Sequence, residues 1–261
     1  MRATTRFALL GTSLALAVTA VGATSAQADD GGAGDITIDK VVVNGGKPVV
    51  VGTTNVVSAK VSVTATDNSG IAETTYISGE GPSPNYATIW YDDGDITCVK
   101  VSATTSTCSG TLTFDPKGST GFVNNAAAAT WNLRTLVSAN DFDYIHRDAA
   151  TTFKVQRASK LTVNASPEPV KKGKTITVTG KLSRANWEDN LYHGYTGQSV
   201  KLQFRKKGSS TYTTVKTIKT DSTGNLKTTV TAAGDGYFRY SFAGTSTTPA
   251  VNAAGDFVDV Q

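Results

Sequence analysis

The sequence predicts an all-β protein built from two consecutive β-sandwiches. Thr, Ser, Gly and Val are abundant and Leu is sparse, and many short segments place apolar residues at every second position. No long stretch repeats apolar residues at i, i+3, i+4 and i+7, so helix is expected to be a minor component. Clusters of turn residues separate the segments, which is the spacing that a sandwich or barrel requires.

The amino terminus predicts an export signal. Arg2 and Arg6 precede an apolar run over residues 7–23, and Ala26-Gln27-Ala28 follows, which predicts a signal peptide over residues 1–28 cleaved after Ala28. The separated arginines favour the general secretory route. The alternative, a signal-anchor helix, is disfavoured because the run is short and is interrupted by Gly, Ser and Thr.

Nothing later in the sequence predicts a membrane anchor. No segment after the leader approaches the ~20 apolar residues of a transmembrane helix, and the last residues form no hydrophobic tail. We therefore expect a secreted, extracellular protein without a membrane anchor.

The mature chain divides into two predicted domains at residue 157. One alternating pattern ends at residues 153–155 and another begins at 161–163, which gives domains 29–157 and 158–261. The first has nine Lys and Arg against fourteen Asp and Glu, a net −5, and the second has fourteen against seven, a net +7. The basic residues of the second alternate with apolar ones, as in 200–205, which indicates a solvated sheet face and not a nucleic-acid site. The opposite charges could also attract the domains to each other, or the basic domain to anionic wall polymers.

The clearest strand of the first domain covers residues 57–66, where Val and Ala alternate with Ser, Lys and Thr. It ends at the turn sequence Asp67-Asn68-Ser69-Gly70. Further strands are predicted at 71–77, 86–91, 96–101, 108–114, 130–137 and 151–155. In the second domain, alternation around Ile176, Val200 and Leu226 predicts strands separated by turns at 207–208, 221–224 and 234–236.

The two cysteines predict a structural disulfide. Cys98 and Cys108 are equidistant from Ala103, so a hairpin turning at 102–104 places them opposite each other on adjacent strands. They would share the core-facing side with Ile96, Leu112 and Phe114. A redox-active pair is the alternative, but the spacing is not C-x-x-C and the setting is not electropositive.

The segments 161–170, 178–182, 195–198 and 242–245 resemble the C-terminal bacterial immunoglobulin-like domain of secreted actinobacterial two-domain proteins. The first half, with Asp67-Asn68-Ser69-Gly70-Ile71 and the cysteine pair, resembles the N-terminal module of the same proteins. The resemblance covers most of the mature chain. It implies tandem immunoglobulin-like sandwiches in a family of unknown function, with no assigned activity. Tyr237 stands where such sandwiches often place a corner tyrosine.

The sequence offers little for an enzyme. There are two histidines, His146 and His193, one in each half, and no G-x-S-x-G, H-E-x-x-H or phosphate-binding glycine loop. A carboxylate pair for glycoside hydrolysis stays open because such pairs form in space and not in sequence. We expect no catalytic residues, and a hydrolase or hydrolase accessory protein is the less favoured alternative.

A calcium site is the second hypothesis. Asp92-Asp93-Gly94-Asp95 places the carboxylates of Asp92, Asp93 and Asp95 around a glycine, and calcium prefers such oxygen ligands. The competing interpretation is an acidic hairpin turn, for which Asp-Gly is common. Asn140-Asp141-Phe142-Asp143 is a weaker candidate of the same kind.

The third hypothesis is a binding surface on the segment 185–197, which is expected to be a long loop. It contains one of three tryptophans, two of nine tyrosines and one of two histidines. Long loops in compact domains are usually functional, and rings beside acids and amides suit sugar or protein surfaces. Alternatively, Trp187 and Tyr195 cap the end of the sandwich. The candidate ligand-binding residues are Trp187, Glu188, Asp189, Tyr192, His193 and Tyr195.

The sequence therefore predicts a secreted, non-enzymatic binding or adhesion module for polysaccharide, cell wall or extracellular protein. A calcium-binding structural module is the alternative. No other cofactor is expected.

Overall fold

The computed structural model describes residues 30–90, 94–118 and 124–261. The predicted signal peptide, residues 1–28, lies outside this range, as do Asp92 and Asp93. The described chain is almost entirely β-structure, as predicted. Its strands are β1 Gly31–Ala33, β2 Thr37–Val43, β3 Val49–Val51, β4 Val57–Thr66, β5 Ile71–Glu80, β6 Tyr86–Trp90, β7 Thr97–Lys100, β8 Thr105–Phe114, β9 Thr130–Ala139, β10 Tyr144–Arg157, β11 Ser159–Leu161, β12 Asn164–Ser166, β13 Thr175–Asn186, β14 Leu191–Gly194, β15 Ser199–Lys206, β16 Thr213–Lys219, β17 Asn225–Thr231, β18 Gly236–Phe242, β19 Val251–Asn252 and β20 Asp256–Val258.

The first half is an immunoglobulin-like sandwich. One sheet has the order β2-β4-β8-β7, and the facing sheet has the order β1-β10-β9-β5-β6, with β3 parallel to the end of β10. In the standard lettering of the immunoglobulin fold, β2, β4, β8 and β7 correspond to strands A, B, E and D. They face β5, β9 and β10, which correspond to strands C, F and G. Between the sheets, the buried Trp131 ring contacts Phe114 and Phe153, with centroids 5.4 and 5.9 Å away, and its Nε1 donates to the Ala127 carbonyl at 2.7 Å.

Strand β4 shows how the sequence produces this core. Its alternation buries Ala59, Val61, Val63 and Ala65 against the opposite sheet and turns the intervening polar residues outward. The strand begins and ends at the predicted residues. The predicted turn at 67–70 follows it, and Gly70 adopts the φ of +86° that this turn requires.

The second half is a smaller sandwich of the same class. In one sheet β11 and β12 flank β13, which also pairs with β14 and β17; the other has the order β16-β15-β18 with β19 and β20 at its edge. Its core is a separate cluster of buried residues that includes Ile176, Leu202, Leu226 and Tyr240. The two halves therefore have two hydrophobic cores.

The second sandwich uses a different tyrosine from the expected one. The hydroxyl of Tyr240 is buried and donates to the Val178 carbonyl of the opposite sheet at 2.9 Å, and burial raises its pKa above the ordinary value. Tyr237 instead packs at the surface between Arg205 and Phe257. The alternation along β18 explains the difference, because Tyr240 shares the inward face with Phe238 and Phe242.

The predicted disulfide is present. Cys98 and Cys108 pair directly across β7 and β8 and are bonded to each other. Cys108 is buried with Ile96, Leu112 and Phe114, and Cys98 packs partly against the same core. The bond lies within one sheet and does not join the two sheets as the antibody disulfide does.

Replacing both cysteines, Cys98→Ser with Cys108→Ser, should lower the free energy of unfolding by about 2–3 kcal/mol, because the loop that the bond closes is short. Urea denaturation of residues 29–261 and of the double variant measures the difference. Mass spectrometry of unreduced wild-type protein provides the control, and two free thiols in exported protein would contradict the assignment.

Candidate functional site

The segment 185–197 forms a β-hairpin, which corrects the expectation of a long loop. Strand β13 continues to Asn186, the chain turns over 187–190, and β14 returns with Tyr192 opposite Ala185 and His193 opposite Arg184. Asn190 takes φ +58° at the turn, a conformation that asparagine tolerates. We call residues 185–194 the edge hairpin.

Trp187, the first candidate binding residue, is inserted into the core of the first sandwich. Trp187 is 4% exposed, and its Nε1 donates to the Gly52 carbonyl at 2.8 Å. Its backbone N–H donates to Asn125 Oδ1 at 3.0 Å, and the Asn125 side chain also donates to Asn186. The ring is therefore a packing element and offers no face to a ligand.

The two tyrosines are also in contact with protein. Tyr192 packs partly against the first core, and Lys160 Nζ lies 3.9 Å from its ring centroid. Tyr195 packs edge-on against Phe242, and Arg184 lies 4.0 Å from its ring centroid. Cations over ring faces are favourable, and in each of these tyrosines a cation occupies one face of the ring.

The remaining candidates face solvent. Glu188, Asp189 and His193 are exposed, as is the neighbouring Leu191, and His193 Nε2 lies 2.5 Å from Asp189 Oδ2. Desolvation would raise the pKa of Asp189, but the contact with His193 and the N–H of Leu191 hold it below its ordinary value. The edge hairpin thus presents a small polar edge and no aromatic platform.

Hydrogen bonds beside the edge hairpin also join the two sandwiches, and we call this region of contact between them the junction. The N–H of Ala158 donates to Val51 and that of Ala185 to Ala158, both at 2.8 Å, and the Gln156 amide donates to the carbonyls of Thr245 and Ser246. Arg157 donates to the Ala185 carbonyl, and burial together with the nearby Arg184 lowers its pKa to about 10. The junction is thus a hydrogen-bonded interface, and the division at 157 stays a prediction for the folding of the separated halves.

The predicted calcium residues are not gathered into a site by the described structure. Asp95 is exposed, and its partners in the hypothesis, Asp92 and Asp93, lie outside the described residues. A different group of carboxylates converges at the other end of the first sandwich. Asp35, Asp67 and Asp143 each place a carboxylate oxygen within 4.8 Å of the others.

The turn that carries Asp143 presents an exposed aromatic ring. Phe142 is 91% exposed and has φ +74°. Its turn is held by hydrogen bonds from Asn140 Nδ2 to the Ser69 carbonyl at 2.8 Å and from Ala139 N–H to the Asp143 carbonyl at 2.7 Å. We call residues 140–143 the tip turn; sequence reasoning noted its acids and missed its ring, because alternation patterns do not report the exposure of a turn residue.

The two histidines lie in different surroundings. His146 Nε2 lies 3.1 Å from Asp148 Oδ1, which also accepts from Arg134 Nε at 2.7 Å. Arg134 in turn bonds Glu80, and these hydrogen bonds raise its pKa. This is a structural ion-pair network on the outer face of the larger sheet.

Comparisons with known proteins give only distant likenesses. No family model and no curated protein matches the chain. Among solved structures, a DUF4785 family protein from Legionella pneumophila aligns at 15% identity and TM-score 0.34, over 79% of this chain and 51% of its own. The Yersinia pseudotuberculosis adhesin InvE aligns at 14% and 0.27, over 85% and 58%, and the D00–D0 domains of intimin at 11% and 0.25, over 84% and 99%. The chain thus spans a little over half of the first two structures.

Within the described range, no helix has the length and apolar character needed to cross a membrane. The resemblance to exported actinobacterial proteins, and secretion itself, stay predictions.

The Trp187→Ala variant should lower the free energy of unfolding by about 3–5 kcal/mol, because it empties a buried site and leaves the Gly52 carbonyl without its donor. Leu191→Ala is the matched control on the same hairpin, 59% exposed, and should change stability by less than about 0.5 kcal/mol. Thermal and urea unfolding of residues 29–261 give both values. Equal stabilities of the two variants would disprove the packing role of Trp187.

Proposed function

We propose that the protein is a secreted, non-enzymatic binding module that recognises an extracellular protein surface through the tip turn of its first sandwich. The observation that carries the proposal is the side chain of Phe142, 91% exposed on a turn that hydrogen bonds hold in place. Aromatic residues, phenylalanine among them, are enriched in protein interfaces relative to the rest of the surface.

Folding alone gives no reason for this residue. A phenylalanine at φ +74° carries backbone strain that glycine or asparagine would avoid. The exposed ring adds no burial on folding, so it contributes nothing that offsets the strain. A side chain that is unfavourable for the fold at a well-ordered position is typical of a functional site.

The position of the tip turn supports access by a partner. Strand β10 runs for fourteen residues, from Tyr144 beside the tip turn to Arg157 at the junction. The tip turn and the junction thus lie at opposite ends of the first sandwich. Tyr144, 43% exposed, and Val101, 67% exposed, add apolar surface at the same end. Loops clustered at one end of an immunoglobulin-like sandwich are also where antibody variable domains bind.

A protein partner fits this surface better than a glycan does. Sugar recognition combines flat rings with several side chains that hydrogen-bond to hydroxyls, whereas the rings expected to do this, those of Trp187, Tyr192 and Tyr195, are packed against protein. The exposed polar edge formed by Glu188, Asp189 and His193 is the second candidate surface. Only the solvent exposure of these three side chains favours this second surface.

Phe142→Ala should abolish capture of the partner, and Phe142→Gly should do the same while raising the melting temperature, because glycine adopts φ +74° without strain. The measurement is binding of immobilised mature protein to a panel of purified extracellular matrix proteins, and in parallel to insoluble polysaccharides and cell walls. The thermal melt of each variant is recorded alongside.

Leu191→Ala with His193→Ala is the matched control and removes two of the exposed side chains of the edge hairpin. If this double variant loses binding and Phe142→Ala retains it, the edge hairpin is the binding surface and the tip turn is not. Retention on polysaccharide alone would overturn the assignment to a protein partner.

A further inference from the structure

Three separate segments of the first sandwich bring carboxylates together beside the tip turn. Asp35 precedes β2, Asp67 follows β4, and Asp143 precedes β10, and one oxygen of each lies within 4.8 Å of the others. Elsewhere in the described ranges, the ion pairs of Lys, Arg and His involve other acids, and none reaches these three. Three negative charges at this separation repel each other strongly in a partly desolvated site.

Asp67 gives a second and independent indication of a ligand. The residue is 2% exposed, and its Oδ2 is buried without a hydrogen-bond partner. Its Oδ1 accepts from the N–H and the hydroxyl of Ser69 at 2.7 and 2.6 Å. A buried carboxylate oxygen with no donor is costly, and a cation held by the cluster would satisfy it.

The backbone around the cluster is shaped to admit these side chains. Gly34 has φ +87°, and a Cβ at that position would lie 1.5 Å from Asp143 Oδ2. Only glycine lets the carboxylate of Asp143 lie against this stretch of chain, where it accepts from the Asp35 N–H at 2.9 Å. Asn68 reaches the same place, with its side-chain amide 2.7 Å from Asp35 Oδ2.

We infer that Asp35, Asp67 and Asp143 form a calcium site that ties three turns of the first sandwich together at its far end. Carboxylate oxygens are the hard ligands that calcium prefers, and its six to eight coordination positions leave room for waters or an amide oxygen. Magnesium requires a stricter octahedron of shorter bonds and is expected to bind more weakly. This site differs from the sequence-predicted one at Asp92, Asp93 and Asp95.

Isothermal titration of the metal-free mature protein with calcium chloride tests the site directly. We expect a single site with a dissociation constant of about 0.1–1 mM, the range of extracellular calcium modules. At about 10 mM calcium the melting temperature should rise by about 5–10 °C, and an equal concentration of magnesium should raise it less.

Two variants locate the site. Asp67→Asn should weaken calcium binding by at least about tenfold. Asp35→Asn with Asp143→Asn should do the same, and this double variant decides the question if the buried Asp67 variant does not fold, because Asp35 is exposed and Asp143 half-buried.

Asp221→Asn is the matched control. It changes an acid in a turn of the same kind, Asp221-Ser222-Thr223-Gly224, whose Oδ1 accepts from the Thr223 N–H at 2.8 Å, and it belongs to no carboxylate cluster in the described structure. Asp95→Asn should likewise leave calcium binding unchanged.

The inference is overturned if wild-type protein shows neither heat of binding nor a melting shift with calcium, or if the Asp35/Asp143 double variant retains both. The titration uses the metal alone, so it succeeds or fails independently of the partner proposed for Phe142.

Discussion

The insertion of Trp187 into the first sandwich is the interaction on which the arrangement of the molecule depends. The residue belongs to an edge hairpin of the second sandwich, yet its ring completes the core of the first and its Nε1 bonds the Gly52 carbonyl. A buried aromatic side chain is worth several kcal/mol, more than the exposed ion pairs of the surface. The Trp187 ring closes the end of the first sandwich that meets the second. The opposite end of the first sandwich is left as an open surface.

The fold could be predicted well because the patterns that specify its strands lie within short stretches of sequence. The alternation over Val57–Thr66 and the spacing of Cys98 and Cys108 both depend on the period of a strand, and both are present as predicted. The edge hairpin was missed for the same reason. Its turn over 187–190 contains Glu, Asp and Asn, which are typical of a loop, and the strand pairing of Ala185 with Tyr192 is not visible in the order of residues.

The sites were harder to predict, since a site depends on burial and on distant segments. Asp92-Asp93-Gly94-Asp95 is the densest acidic run in the sequence, yet Asp95 is solvated where it is described. Asp35, Asp67 and Asp143 are spread over more than one hundred residues and share no motif. Their relation follows from sandwich topology, which places the turn after β4, the turn before β10 and the entry to β2 at one end. Desolvation of Asp67 then distinguishes the cluster from a surface patch of acids.

The carboxylate cluster and the exposed ring are adjacent in the chain, because Asp143 directly follows Phe142. An aromatic anchor binds well only if its backbone is already in the bound conformation, since ordering a loop on binding subtracts from the affinity. Hydrogen bonds from Asn140 and Ala139 order one side of the tip turn. The other side depends on Asp143, whose carboxylate lies beside two others of the same charge. Asp143 also accepts from the Asp35 N–H at 2.9 Å, so a cation bound by the three acids would act on the same residue that anchors this side of the tip turn, and metal binding and presentation of Phe142 would be coupled through Asp143.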